Sequence, residues 1–94
     1  MKVNIAFDNV DNSDALQFFI QQKSVQVKKL LANGEVLRWV IEQESKSFKP
    51  ILKLKLRNKN LYISSKARNA FSAVSDVVEK AKRLVNEDHK RLKK

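Results

Sequence analysis

Cysteine is absent from the chain, which removes any disulfide framework and any thiolate metal site. The single histidine, His89, has no second imidazole and no carboxylate constellation beside it. It is therefore expected to be a solvated helix residue, and the expected complement of metals and cofactors is none. Glycine occurs once, at Gly34, so no glycine-rich loop can cradle a phosphate group. Ser64-Ser65 lies in strand-like sequence with no base to activate a hydroxyl. No apolar run approaches the roughly 20 residues that span a bilayer. The start, MKVNIAFDNVDNSD, lacks an apolar core and turns acidic by Asp8, unlike a secretory signal. These absences argue against an enzyme, a small-molecule substrate and a membrane partner. A cytoplasmic protein is expected.

Acidic residues are also scarce. Ten Asp and Glu stand against twenty Lys and Arg, a formal charge of +10 on 94 residues. Such an excess costs self-repulsion in the compact state and favours association with polyanions. The charge is uneven. Residues 1–22 hold Lys2 against Asp8, Asp11 and Asp14, whereas residues 46–68 hold eight basic residues and no acidic one. No repeat or low-complexity linker divides the chain, and its length suits one domain with one modest core.

Periodicity supplies the elements. Val3, Ile5 and Phe7 alternate with polar or small residues, as a half-buried strand does. Ser13 caps a first helix, with Asp14 in its first turn. Leu16, Phe19, Ile20, Val27 and Leu30 or Leu31 form its inner stripe, and Asn33-Gly34 is expected to end it. A strand follows from about Glu35 to Glu44, with Leu37, Trp39 and Ile41 on one face. Ser45 to Pro50 reads as a loop. Leu52, Leu54 and Leu56 then alternate with Lys53, Lys55 and Arg57, and Asn58-Lys59-Asn60 supplies turn residues for a hairpin. Leu61, Ile63 and Ser65 alternate with Tyr62, Ser64 and Lys66 on the return.

The last twenty-six residues, 69–94, read as one capped amphipathic helix. Asn69 is the N-cap, and Phe71, Val74, Val78, Ala81 and Val85 form the apolar stripe. The order β-α-β-β-β-α implies an α+β fold: a four-stranded mixed sheet with two helices on one face. The expected core sets Phe71, Val74 and Val78 against Leu16, Phe19 and Ile20, over Leu52 and Leu54.

Two cationic surfaces follow. The helical side carries Lys23, Lys28, Lys29, Lys80, Arg83, Lys90 and Arg91. The open sheet face carries Arg38, Lys53, Lys55, Arg57 and Lys66, with Tyr62 as a stacking platform. Alternating lysines on a solvent-facing strand can equally serve as surface protection. Phe18 points away from the first helix's apolar stripe, and Phe48 falls in the expected loop.

The strings NIAFDNVDNSDAL and NAFSAVSDVVEKAKRLV, with Lys23 between them, complete the pattern. In these and in element order the chain resembles the ribosome hibernation-promoting factor and ribosome-associated inhibitor (protein Y) family, also called sigma-54 modulation proteins. The resemblance implies a fold similar to double-stranded RNA-binding domains. It also implies a bacterial stress-response role: binding the neck of the small ribosomal subunit, across the messenger and transfer RNA sites, so that idle ribosomes are silenced. A single ribosome-binding domain over residues 1–94, of the short form and monomeric off the ribosome, is expected.

Lys23, Lys29, Lys80 and Arg83 stand where the family usually has basic residues. Gln17, Gln26, Glu87 and Asp88 stand where basic residues are common, Leu84 replaces a usual glutamine, and Phe71 a common tyrosine. The RNA-binding candidates are thus Lys23, Lys28, Lys29, Lys66, Arg68, Lys80, Arg83, Lys90 and Arg91, with Lys53, Lys55 and Arg57 secondary. Two alternatives remain open at this point. One is a general RNA- or DNA-binding module using the sheet face. The other is an interaction module pairing through Phe18 and Leu84.

Overall fold

Alternating burial along four strands builds one apolar sheet face, and two helices cover it. The computed structural model describes residues 3–8, 10–11, 13–31, 36–56 and 59–92; of Leu56 and residues 89–92 it describes the backbone. The elements are β1 (Val3–Asp8), α1 (Asp14–Lys28), β2 (Leu37–Glu44), β3 (Ser47–Leu56), β4 (Lys59–Ser64) and α2 (Ala70–Leu92). The sheet order is β1-β2-β3-β4, with β1 and β2 parallel and the other pairs antiparallel. This is the β-α-β-β-β-α architecture expected.

Register aligns the buried residues into rows. Ile5, Trp39, Leu52 and Ile63 lie side by side across the four strands. Leu37 and Leu54 belong to the next row, and Ile41 and Pro50 to the row beyond. Because a strand's side chains alternate with period two, this register sends every one of them to the helical side.

Helix α1 starts at Ser13, whose side chain accepts from the Leu16 N–H at 3.2 Å. Its buried positions are Leu16, Ile20, Ser24 and Val27. Ser24 is the one polar residue fully buried among those described, and its hydroxyl accepts from the Trp39 indole N–H at 2.9 Å. Each group thus satisfies the other where water cannot reach. Helix α2 is capped by Asn69, whose carbonyl oxygen accepts from the N–H groups of Phe71 and Ser72 at 2.8 and 3.2 Å. Its buried stripe is Ala73, Val74, Val77, Val78, Ala81 and Val85. These side chains are short, which lets α2 lie close to β3 and α1.

Several expectations change. Phe71 is not in the core: it is 40% exposed and meets Phe19 edge-to-face at 5.1 Å between ring centroids. The whole buried stripe centres on the direction of Ala81, which puts Phe71 about 80° round the helix from it. Phe19 is partly buried beside the core. Truncating Phe71 removes a rim contact and opens no core cavity; the edge-to-face pair with Phe19 contributes about 0.5–1.5 kcal/mol beyond the area it buries.

The expected loop from Ser45 to Pro50 is mostly strand. Only Ser45 and Lys46 separate the paired Glu44 and Ser47, and Ser45 takes the positive φ of 56° that such a short turn demands. Pro50 lies buried inside β3. Phe48 exchanges both backbone hydrogen bonds with Ala67, so by alternation residue 50 should donate to Ser65. Proline has no N–H to give. The β3–β4 ladder accordingly stops at Ile51 and Ser64 and resumes only as the lone Phe48–Ala67 bridge.

Lys59 and Asn60 belong to β4, paired with Leu56 and Lys55, and not to the turn. Helix α1 ends at Lys28, where the Leu30 and Leu31 N–H groups bond three residues back in a tightened turn. The expected Asn33-Gly34 stop, Glu35, Arg57 and Asn58 lie outside the described residues, as do Lys93 and Lys94.

Ser24→Ala should cost about 1–3 kcal/mol by leaving the buried Trp39 N–H without an acceptor. Urea melts followed by Trp39 fluorescence should show the loss as a lowered midpoint with an unchanged slope. An unchanged midpoint would mean that the pair contributes nothing net.

Candidate nucleic-acid interface

Covering one sheet face with helices leaves two outward surfaces, and both carry cations. Lys29, the C-cap of α1, is exposed, and on the helix itself Lys23 is half-buried, its ammonium 5.6 Å over the Phe19 ring. That contact draws Lys23 against α1's own surface. Lys28 is also half-buried. On α2 the cations divide between two flanks. Lys80 donates to the Ser64 carbonyl at 3.1 Å, which ties it to the end of β4. Lys82 donates to Gln26 of α1 at 3.2 Å and to Glu79 at 3.4 Å. Arg83 is exposed and lies three residues after Lys80, less than one turn away.

The expected helical side is thus two adjoining patches. One lies along the α1–α2 seam, with Lys23 and Lys82; the other, with Lys80 and the exposed Arg83, lies on the β4 flank. Lys82 was missed in the sequence. Its position beside the apolar stripe was the available signal, and Glu79 three residues before it offsets part of its charge. Gln26 is the departure that gives Lys82 its partner.

Lys66 is engaged within the molecule. It pairs with Glu44 at 3.1 Å, and Lys49 approaches the same carboxylate at 4.0 Å. The Lys66 hydrogen bond, then the Lys66 and Lys49 charges, hold the Glu44 carboxyl below its ordinary value. Arg68 is exposed two residues further on. The side chains of Lys90 and Arg91, with that of His89, lie outside the described residues, as does Arg57.

On the open sheet face, register places Arg38, Lys53 and Tyr62 in one cross-strand row, with Lys55 and Asn60 in the next. Lys53 sits 5.9 Å over the Tyr62 ring. A shallow depression of about 420 Å³ is lined by Val36, Arg38, Lys53, Lys55, Asn60 and Tyr62, among others. The opposite end of the face carries both signs: Asp8, Glu42 and Glu44 stand there with Lys49, opposite Glu42, and with Lys66 on Glu44. Small or apolar side chains of Ala6, Val40 and Ile51 separate the two ends.

Phe18 is 60% exposed and lies near Val3 of β1. Leu84 is 41% exposed, one turn beyond Lys80 on the β4 flank. β1 and β4 are opposite edges of the sheet, so Phe18 and Leu84 do not build one patch. Among the described residues no three metal-ligating side chains cluster, and no helix is long and apolar enough to cross a membrane.

No family model matches the chain, and no curated protein matches it in sequence. Solved structures do match in fold. The N-terminal domain of Protein Y from Thermus thermophilus superposes with a TM-score of 0.82 at 12% identity, over 93% of this chain and 98% of that one. A ribosomal subunit interface protein from Coxiella burnetii superposes with a TM-score of 0.79, also at 12% identity, over 95% and 98%. The resemblance carried by the two sequence strings is met by these neighbours, whose fold this chain shares over nearly its whole length.

Because its folded value is lowered, ionised Glu44 contributes stability above its ordinary range, lost as pH falls through the lowered value. An NMR titration should give Glu44 a midpoint below the ordinary glutamate value of about 4.3, and Lys66→Ala should raise it. A midpoint unmoved by Lys66→Ala would remove the ion pair as the cause.

Proposed function

We propose that this protein is a ribosome-associated, non-enzymatic factor that binds the small ribosomal subunit across its messenger and transfer RNA sites. There it holds idle ribosomes out of translation. The observation that carries the reading is a near full-length fold correspondence with two solved structures, one of them named a ribosomal subunit interface protein. The cationic character of the helical surface supports it. A single domain of charge +10, acting as a monomer off the ribosome, would compete with transfer RNA for a phosphate-lined cleft by releasing condensed counterions.

In this reading Lys80 and Arg83 make the principal phosphate contacts. They stand on a helix held by its buried stripe, and Lys80 is braced by the Ser64 carbonyl. Bracing lowers the ordering cost that a free lysine would incur on binding. Lys23, Lys28 and Lys29 extend the footprint along α1, with Lys90 and Arg91 beyond Arg83 in sequence and Arg68 at the approach to α2. Lys66 must leave Glu44, or share it, to take part.

Lys80→Ala with Arg83→Ala should weaken co-sedimentation with small subunits by about tenfold or more and relieve inhibition of translation in an extract. It should also reduce the slope of log affinity against log salt by about 2. Lys53→Ala with Lys55→Ala, which removes the same charge from the sheet, should matter less. A sheet pair more damaging than the helix pair would move the ribosome contact to the sheet face. Affinity independent of salt would point to protein–protein contacts instead.

A further inference from the structure

We propose that the basic end of the open sheet face is a second site, which binds one unpaired nucleotide of a single-stranded RNA. Its base stacks on Tyr62, and its neighbouring phosphates meet Lys53, Lys55 and Arg38. The stacking argument stands on this face alone; the choice of RNA over DNA rests on the function proposed above.

Tyr62 is the most exposed large apolar side chain among those described, at 68%. A ring held so far out of a folded sheet buries little of its own area and keeps a face open to a partner. Lys53 lies against one side of the ring. β4 is an edge strand, so no neighbouring strand occupies the side beyond Tyr62. A flat base can take that side, and aromatic faces stack every base with little sequence preference.

Charge decides the occupant. Arg38 and Lys53 share the tyrosine's row and Lys55 the next, with no carboxylate in those rows among the described residues. At the far end Asp8, Glu42 and Glu44 are interspersed with Lys49 and Lys66. A polyanion therefore finds unopposed positive charge beside Tyr62, next to the β4 edge. An apolar protein segment would have to cover three exposed cations, Arg38, Lys53 and Lys55, in the same depression. A rigid duplex presents phosphates but no free base face for the ring.

The test uses the full chain and a fluorescently labelled RNA about ten nucleotides long, a typical site size for such surfaces, read by anisotropy. Tyr62→Ala should weaken binding about tenfold, and Tyr62→Phe, which keeps the ring, should restore it. The same RNA carrying abasic positions should bind as weakly to the parent as the intact RNA does to Tyr62→Ala. Lys80→Ala with Arg83→Ala should change oligonucleotide binding by less than about threefold, since those cations lie on another surface.

Equal affinity of the parent and Tyr62→Ala would overturn the stacking site, as would full binding of the abasic RNA. Tighter binding of the DNA of the same sequence would overturn the assignment to RNA. Retained co-sedimentation of Tyr62→Ala with small subunits would leave the helical reading intact, so the two failures are distinguishable.

Discussion

Everything outward-facing in this protein depends on the row Ile5, Trp39, Leu52 and Ile63 being roofed by two helices. Burial of that row and its neighbours is the dominant favourable term in so small a domain, at about 25 cal/mol per Å² of apolar surface. The Trp39–Ser24 hydrogen bond gives the roof its register. An indole that must be satisfied lets α1 sit at one height over β2 and no other. The short side chains of α2 then set how closely the second helix follows. Against this stands the repulsion of a net charge of +10, which the fold tolerates by sending cations outward on two surfaces.

The separation of those surfaces has a physical origin. A sheet with helices on one side presents backs of helices in one direction and a bare pleated face in the other. Helix backs hold cations on a convex surface, spaced by turns, suited to the phosphates of a folded RNA. The bare face holds an aromatic ring flanked by cations at one end and mixed charges at the other, an arrangement suited to a single strand at the cationic end. Intramolecular pairing further sorts the candidates. Lys66 is drawn to Glu44 and Lys82 to Glu79 and Gln26, whereas Lys80 is steadied by a neutral carbonyl and keeps its whole charge.

Much of the fold was legible because period-two and helical patterns were clean. Element order, the parallel first pair, both N-caps and the buried set Leu37, Trp39, Ile41, Leu52 and Leu54 follow from alternation and capping chemistry. The misplaced elements have local causes. Pro50 looks like a loop residue, yet it sits where the neighbouring strand pairing lapses, so its missing N–H is tolerated. Phe71 looks like core because it is large, but the apolar arc is completed by Ala73 and Val77, whose smaller size lets α2 settle closer. Ser24 gave no signal, since its partner Trp39 is remote in sequence. Exposure of the helical cations was readable from their distance to the stripe; their division between two flanks required knowing what each flank adjoins.

Lysine-reactivity footprinting, with the protein free and bound to small ribosomal subunits, tests the central claim most directly. An acylating reagent and mass spectrometry would report each ammonium separately. The account predicts that Lys29 and Lys80 lose reactivity on the subunit, while Lys46 at the β2–β3 turn remains as reactive as in the free protein. Undiminished reactivity of Lys29 and Lys80 in a stable complex, with protection confined to Lys53 and Lys55, would contradict it.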